Sequence, residues 1–183
     1  YTIVVDFAGK GKITYPDGVI VNDETTSNLT KNENFVVLEC VYRLLKLGYK
    51  PECIELEPKW EAPHDIGGGG KADVLVKDNA GESFLLIECK TWGKEFDNYW
   101  KKTEQDGDQL FFYAVQKRST KYLCMYASNW DNDELVRKSN IISLKDNTAT
   151  LESFDEPISF EKANDKSSLF AAWNITYGKY SFK

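Results

Sequence analysis

The segment KADVLVKDNAGESFLLIECK, residues 71–90, decides the fold. Its two halves, ADVLVKD and SFLLIECK, are rich in apolar and β-branched residues, and the turn-forming sequence DNAG at 78–81 joins them. The pattern predicts two β-strands that form a hairpin or a tightly connected pair. SFLLIECK is apolar at nearly every position until its end, which is typical of a strand covered on both faces.

A helix and a short strand are predicted before this pair. The stretch LTKNENFVVLECVYRLLKLGYKP indicates an amphipathic helix from about Asn32 to Leu47, followed by the stop signals Gly48 and Pro51. Thr30 and Glu33 have the spacing of a capping box at its start. IELEPKW then predicts a short strand.

Further elements are predicted on both sides of this centre. Residues from about 98 to 117 have a helical pattern with a break at Gly107, KYLCMYAS and IISL indicate buried strands, and SSLFAAWNITYGKY indicates a closing helix. The first 25 residues alternate apolar and polar, which predicts a small antiparallel β-unit. We expect an α/β (α+β) fold: a β-unit over 1–27 packed on a main body over 28–183, whose central mixed sheet is flanked by helices.

Composition limits the class of protein. The 183 residues are 42% hydrophobic, which is enough for one core. The formal net charge of -6 argues against a protein that holds nucleic acid by its overall positive potential, but not against a site built from carboxylates. Because the chain begins at Tyr1 without a methionine, we expect a fragment of a longer protein.

The cysteines and the hydropathy pattern indicate a cytoplasmic protein. The four cysteines are far apart in the sequence, and three lie in apolar runs, so reduced, buried thiols are expected. One histidine and no ligand spacing argue against a zinc site. No apolar stretch approaches the roughly 18–20 residues that cross a bilayer, and there is no signal peptide.

The glycine-rich stretch HDIGGGGKAD, residues 64–73, invites a phosphate-loop interpretation that fails on inspection. A GxxxxGK[ST] loop would need glycine at Asp65, serine or threonine at Ala72, and a helix afterwards. The predicted structure is instead a turn that leads the chain to Asp73. The single histidine, His64, lies on this turn and is expected to face solvent.

Three charged residues stand at the ends of the two central strands. If the strands pair about their turn, Asp73 and Glu88 lie at the same height, and Glu88 and Lys90 share a face while Cys89 points to the other. Two carboxylates suit Mg²⁺, which can polarise a phosphoryl oxygen and acidify a bound water, with the lysine beside that water. The alternative is an ordinary ion pair at a strand end.

GKADVLV followed by LLIECK resembles the D…(D/E)xK core of the PD-(D/E)xK nuclease superfamily. The resemblance implies a restriction-endonuclease-like fold, in which Asp73, Glu88 and the Cys89 carbonyl bind Mg²⁺, with Mn²⁺ as a substitute. Lys90 would support the attacking water. Ala72 stands where the motif has proline, which is a departure from the pattern.

Two more stretches carry the resemblance. QLFFY places Gln109 and Tyr113 as in the QxxxY signature of the RecB-like and type I restriction branches, where both residues line the site. The first helix of that family often supplies a further acid, for which Glu33 is the better match and Glu39 the second. The gap between the motif lysine and QLFFY is longer than usual.

Residues from about 30 to 130 resemble the N-terminal nuclease domain of type I restriction enzyme R subunits, and equally that of fused restriction-modification proteins with a DNA adenine methyltransferase. The resemblance implies magnesium-dependent cleavage of double-stranded DNA. Its partners would be methyltransferase and specificity subunits or domains, and ATP would act only through a motor domain that this chain lacks. A RecB-like exonuclease and an inert DNA-docking or structural module remain alternatives.

Aromatic and basic residues alternate after Lys90. They predict either contacts to a DNA backbone with base stacking or a partly buried amphipathic segment with solvated lysines. The residues concerned are Trp92, Lys94, Phe96, Tyr99, Trp100, Lys101 and Lys102.

Overall fold

The computed structural model describes residues 1–59, 71–106, 110, 113–114, 119–144 and 161–163. Within these ranges, seven strands form a mixed sheet, two more form a separate hairpin, and there are two α-helices, α1 (Asn32–Lys46) and α2 (Lys94–Asp106). One buried core joins α1 to the sheet, and another joins α2 to the opposite face. The α/β class expected from the sequence is confirmed.

The mixed sheet has the spatial order β3-β4-β5-β6-β7-β8-β9. The β3–β4 and β6–β7 pairs are parallel, and the remaining pairs are antiparallel. The strands are β1 (Val4–Asp6), β2 (Lys12–Thr14), β3 (Ile20–Val21), β4 (Ile54–Leu56), β5 (Val74–Lys77), β6 (Ser83–Cys89), β7 (Tyr122–Asp131), β8 (Glu134–Ser143) and β9 (Glu161–Ala163).

The central pair forms as the sequence predicts. β5 and β6 are antiparallel, with Val74 opposite Ile87 and Leu75 opposite Leu86. In the turn, the Asp78 carboxylate accepts hydrogen bonds from the backbone N–H groups of the residues two and four positions later. Every residue of β6 is buried, because helices cover the sheet on both faces at this strand.

The first helix has the predicted extent, but its first turn is not capped as predicted. α1 ends at Lys46, and Gly48 adopts a φ of 97°, a left-handed conformation that suits glycine after a helix. The predicted capping box is wrong: Lys31 is the N-cap, and no side chain caps the helix. The Thr30 hydroxyl instead donates to the side chain of Asn28. Glu33, the other half of the predicted box, bonds elsewhere.

The second half of the chain departs from the predicted boundaries. α2 begins at Lys94 instead of residue 98, and its first turn is held by Glu95, whose carboxylate accepts bonds from the backbone and hydroxyl of Thr91. β8 begins at Glu134, well before IISL. Asn132 and Asp133 both adopt positive φ (48° and 64°), which makes the tight two-residue turn that aligns β7 with β8.

The first residues contribute to both sheets. β1 and β2 form the expected antiparallel hairpin, and Ile13 and Tyr15 are buried in the core on the α1 side. β3 is an edge strand of the main sheet, so residues 20–21 do not belong to a separate unit. Gly107, His64, Gln109 and the predicted closing helix at 167–180 lie outside the described residues.

All four cysteines are buried free thiols. Cys89 and Cys40 belong to the core beneath α1, on the face of the sheet opposite α2. In the part of the chain that the structure describes, neither helix has the length and apolar character needed to cross a membrane.

Candidate active site

The pairing of β5 with β6 brings two carboxylates together. Asp73 immediately precedes β5, Glu88 is the penultimate residue of β6, and continuing the register from the Val74–Ile87 pair places the two acids opposite each other. Leu75 and Leu86, which share their face by strand alternation, pack in the core under α2. Asp73 and Glu88 therefore lie side by side at one end of the hairpin, on the α2 side.

Lys90 lies at the centre of the charged cluster. Its Nζ is 2.7 Å from Glu88 Oε1 and 2.9 Å from Glu33 Oε1. The backbone N–H of Lys90 donates to the Tyr126 carbonyl at 2.9 Å, and Nζ lies 4.6 Å from the centre of the Tyr99 ring. Only 6% of Lys90 is exposed, so two carboxylates and an aromatic face hold its ammonium in one place.

Asp73 is fixed through backbone contacts with both neighbouring strands. Its Oδ2 accepts a hydrogen bond of 2.7 Å from the backbone N–H of Cys89, and its carbonyl accepts one of 2.9 Å from the N–H of Glu57. The Cys89 side chain points into the opposite core, as the alternation of the strand predicts. Cys89 can contribute to this site only through its backbone.

Burial controls the electrostatics of the acid pair. Loss of solvation raises the pKa of Asp73 to about 7, against the hydrogen bond from Cys89 and the charge of Lys90, which both lower it. Loss of solvation and then the charge of Asp73 raise the pKa of Glu88 to about 8. Burial alone would lower the pKa of Lys90, but the carboxylates of Glu88 and Glu33 outweigh it, so its pKa is raised. Lys90 therefore remains an ammonium ion at neutral pH.

One atom of the cluster is left unsatisfied. Glu88 Oε2 is buried and has no hydrogen-bond partner among the described residues, an arrangement that typically costs about 1–3 kcal/mol. A cation placed between Asp73 and Glu88 would satisfy this oxygen and favour the ionised form of both acids.

The donor set fits magnesium. Two carboxylates with the Cys89 carbonyl are hard oxygen ligands, and Mg²⁺ commonly takes one or two carboxylates while keeping several waters. No group of three or more His, Cys, Asp or Glu side chains arranged to hold a metal occurs within the described ranges. Waters and the carbonyl would have to complete the coordination of any ion bound here.

The structure separates the two candidate glutamates of α1. Glu33 reaches Lys90, as described above. Glu39 points to a different partner set: its Oε1 lies 2.6 Å from Arg137 Nε, and its Oε2 accepts a hydrogen bond from the Tyr126 hydroxyl. Glu33 is thus the α1 acid that joins the charged cluster.

Tyr113 supports the segment that leads to Asp73. Its ring is fully buried under the sheet, and its hydroxyl donates a 2.6 Å hydrogen bond to the Lys71 carbonyl, two residues before Asp73. Tyr113 therefore acts on the position of the chain at Asp73. Gln109, its predicted companion, lies outside the described residues.

Sequence reasoning missed Glu57, a buried acid next to the cluster. Glu57 is 2% exposed, has a φ of 51°, and leaves Oε2 without a hydrogen-bond partner among the described residues. Burial raises its pKa, and the Thr25 hydroxyl donates to its other oxygen. Nothing in EPKW signals a buried acid, because the positive φ that turns this residue inward is set by the neighbouring strands.

A surface ion-pair network connects the two ends of the stretch 60–70. Asp23 binds Lys59 through Oδ1 at 2.8 Å and Lys71 through Oδ2. Lys71 Nζ also lies 3.8 Å from Glu57 Oε1. No sequence pattern indicated this network, since its members are up to 48 positions apart.

The functional assignment rests on the geometry of the charged cluster. A scan of protein-family models and a search of curated proteins found no match to this chain. Within the described residues, the cluster combines two adjacent buried acids, a third acid from α1 and a fixed ammonium ion. Such a site can hold a divalent cation and orient a water or a phosphate oxygen beside it.

Proposed function

We propose that this chain is a magnesium-dependent nuclease domain of PD-(D/E)xK type, which cleaves DNA phosphodiester bonds within a type I-like restriction-modification enzyme. The observation that carries the proposal is the buried Glu88 Oε2, which has no hydrogen-bond partner in the described part of the chain; Glu88 lies opposite Asp73 and next to the ammonium of Lys90. In an ordinary ion pair, buried carboxylate oxygens normally find hydrogen-bond partners, whereas sites kept for function more often leave one open.

Each member of the cluster has a distinct role in this proposal. Asp73, Glu88 and the Cys89 carbonyl hold Mg²⁺, which when bound acts as a Lewis acid and lowers the pKa of its waters. Lys90 serves as a fixed donor that orients the attacking water and stabilises negative charge on the phosphoryl oxygens. Because its carboxylate partners raise the pKa of Lys90, it does not act as the general base. Glu33 holds Lys90 in position.

The negative charge of the chain bears on how the domain would reach DNA. With a net charge of -6, the domain would depend on other subunits or domains for DNA recognition and tracking. We propose methyltransferase and specificity components for recognition, and a motor domain as the consumer of ATP. Such an enzyme would act on double-stranded DNA in the cytoplasm.

Cleavage of covalently closed plasmid DNA tests the activity. With Mg²⁺ or Mn²⁺, we expect nicked and linear products, whereas an exonuclease of RecB type would degrade only linear DNA. Glu88→Gln should lower the rate about 1000-fold because it removes a metal ligand, and Lys90→Ala should lower it about 100- to 1000-fold because it removes the donor to the phosphoryl oxygens. Glu55→Gln is the matched control, because Glu55 also pairs with a lysine, Lys77 at 2.6 Å, at the far end of the hairpin.

Metal binding tests the site without relying on turnover. Titration with Mn²⁺, followed by electron paramagnetic resonance, should give one tight site in the parent chain and in Glu55→Gln. Glu88→Gln should weaken that site at least about tenfold, because it loses one of two carboxylate ligands. Equal Mn²⁺ affinity in Glu88→Gln and in the parent would contradict the proposed function.

A further inference from the structure

A groove of about 770 Å³ runs along the outer side of α1, next to the charged cluster. Four of its lining residues are aromatic and unusually exposed: Phe35 and Tyr42 at 46% each, Trp92 at 41% and Trp130 at 68%. Exposed aromatic side chains that line one concave surface mark a binding site more often than scattered ones do.

Three separate elements build the groove. Phe35 and Tyr42 are seven residues apart on α1 and so lie on one side of the helix, two turns from each other. Trp92 follows the end of β6. Trp130 lies near the tip of the β7–β8 hairpin. This hairpin extends beyond β6, because Cys89, the last residue of β6, is paired with Tyr126, and β7 continues to Asp131. Phe35, Tyr42 and Trp130 are therefore presented by regular elements, and Trp92 by the short turn between β6 and α2.

The groove lies beside the candidate active site. Asn32, which immediately precedes Glu33, and Thr91, which immediately follows Lys90, line it. A chain that lies in the groove would thus pass from the aromatic residues towards Glu33 and Lys90, and the ammonium of Lys90 binds Glu88.

Charge near the groove favours a polyanion with flat, apolar groups. Lys31 and Lys94 are exposed and lie one and two positions from the lining residues Asn32 and Trp92, and Lys46 Nζ lies 5.8 Å from the centre of the Tyr42 ring. Glu39, an acid that lines the groove, already pairs with Arg137. The acidic turn at 131–134 lies beyond Trp130 and limits where phosphates can pass.

We propose that this groove binds an unpaired DNA strand and delivers it to Asp73 and Glu88. The inference rests on the proposed nuclease function and narrows its substrate to DNA with a single-stranded segment, such as a frayed end, a flap or a bubble. Aromatic rings can stack on bases only where those bases are unpaired, and each stacked base contributes about 1–3 kcal/mol. The lysines at the rim would follow the phosphates.

Binding to short oligonucleotides without divalent metal tests the groove separately from cleavage. Fluorescence anisotropy should show that the parent chain in EDTA binds a labelled 12-nucleotide thymidine strand at least fivefold more tightly than a 12-base-pair duplex. Trp92→Ala and Trp130→Ala should each weaken binding of the strand about tenfold, and Trp92→Phe should restore most of it. Phe7→Ala is the matched control: Phe7 is 78% exposed but does not line the groove.

Several results would overturn the inference. It fails if the tryptophan variants, shown to be folded by circular dichroism, bind the strand as the parent does, or if duplex binds as tightly as single strand. It also fails if the same substitutions leave DNA binding intact and abolish association with a protein subunit.

Cleavage assays separate this failure from that of the nuclease function. Glu88→Gln should keep its affinity for the strand while losing Mn²⁺ binding and cleavage. If the parent cleaves duplex plasmid and the tryptophan variants cleave it equally well, the groove proposal is wrong and the nuclease proposal stands. If the chain binds the strand through its tryptophans but binds no Mn²⁺, the nuclease proposal is wrong, whereas binding of an unpaired strand in the groove stands.

Discussion

Two glutamates of α1, Glu33 and Glu39, enter clusters of opposite character. The Glu39 cluster is closed, because one carboxylate oxygen binds Arg137 and the other accepts a hydrogen bond from the Tyr126 hydroxyl. Glu33 shares the ammonium of Lys90 with Glu88, whose second oxygen has no hydrogen-bond partner among the described residues. A closed cluster is complete as it stands, whereas the open one has an oxygen that no described residue hydrogen-bonds and that a ligand would satisfy.

The balance of charge explains the difference. In the Glu39 cluster one carboxylate faces one guanidinium. In the open cluster, Glu33, Asp73 and Glu88 surround one ammonium ion, so negative charge is in excess, and burial raises the pKa of both Asp73 and Glu88. Buried like charges destabilise the folded chain, which is typical of sites kept for function rather than stability.

Exchanging each glutamate for glutamine gives the largest expected contrast. Glu39→Gln should destabilise the fold by about 2 kcal/mol, because the partly buried Arg137 loses its counter-charge. Glu33→Gln should cost less than about 1 kcal/mol, since Glu33 is partly exposed and Lys90 keeps Glu88. Cleavage should respond in the opposite way, with Glu33→Gln lowering the rate about tenfold or more through a less well-placed Lys90.

Urea unfolding and plasmid cleavage measure the two effects on the same preparations. If Glu33→Gln destabilised the fold as much as Glu39→Gln and left cleavage unchanged, the distinction between an open and a closed cluster would be wrong.

The pH dependence of metal-free stability is the next largest effect. The folded-state pKa values of Asp73 and Glu88, about 7 and about 8, lie above those of an unfolded chain, so their contribution to stability is full at low pH and is lost as pH rises through these values. In EDTA, the melting temperature should fall by roughly 5 °C between pH 6 and pH 9. Calorimetry across this range checks the trend.

Asp73→Asn is the control for this titration. It removes one of the two coupled charges and can keep the hydrogen bond from Cys89, so the fall in melting temperature should shrink by at least half. Mg²⁺ should restore the stability of the parent at pH 9 but not that of the variant. An unchanged slope in Asp73→Asn would mean that other groups cause it.

Three members of the open cluster, Asp73, Glu88 and Lys90, were predictable from sequence because they lie on or next to one hairpin. Strand alternation suffices to place Glu88 and Lys90 on one face. The exact register depends on a shift between Val76 and Lys77, without which the pairing next to the turn would put Asp73 opposite Ile87 instead of Glu88. The choice between Glu33 and Glu39 was not predictable with certainty, because it depends on where α1 crosses the sheet.

Local signals also led to errors. Thr30 and Glu33 have the spacing of a capping box, but Glu33 binds the ammonium of Lys90 and no side chain caps the helix. The tertiary ion pair therefore prevails over the local capping hydrogen bonds. The sequence does not indicate the Asn132–Asp133 turn, because both residues adopt positive φ although neither is glycine. The strands predicted on either side of this turn are therefore too short. Glu57 is buried by a similar backbone conformation, which its sequence context does not reveal.

Tyr113→Phe tests how far the open cluster depends on support from outside. Loss of the hydroxyl removes the bond to the Lys71 carbonyl, which should destabilise the fold by about 1 kcal/mol. Cleavage should fall about fivefold and Mn²⁺ affinity about threefold, because Asp73 is held less firmly. A stability loss without any change in Mn²⁺ affinity would limit Tyr113 to packing.

Asp23→Asn should have the smallest effect and shows whether pairing or burial matters more. Asp23 is paired through both oxygens, like Glu39, but its lysine partners are solvent-exposed. Exposed pairs contribute little to stability, and after the substitution Lys71 can still approach Glu57, now 3.8 Å away. The melting temperature should stay the same within error. A fall as large as that of Glu39→Gln would mean that pairing alone, without burial, defines a closed cluster.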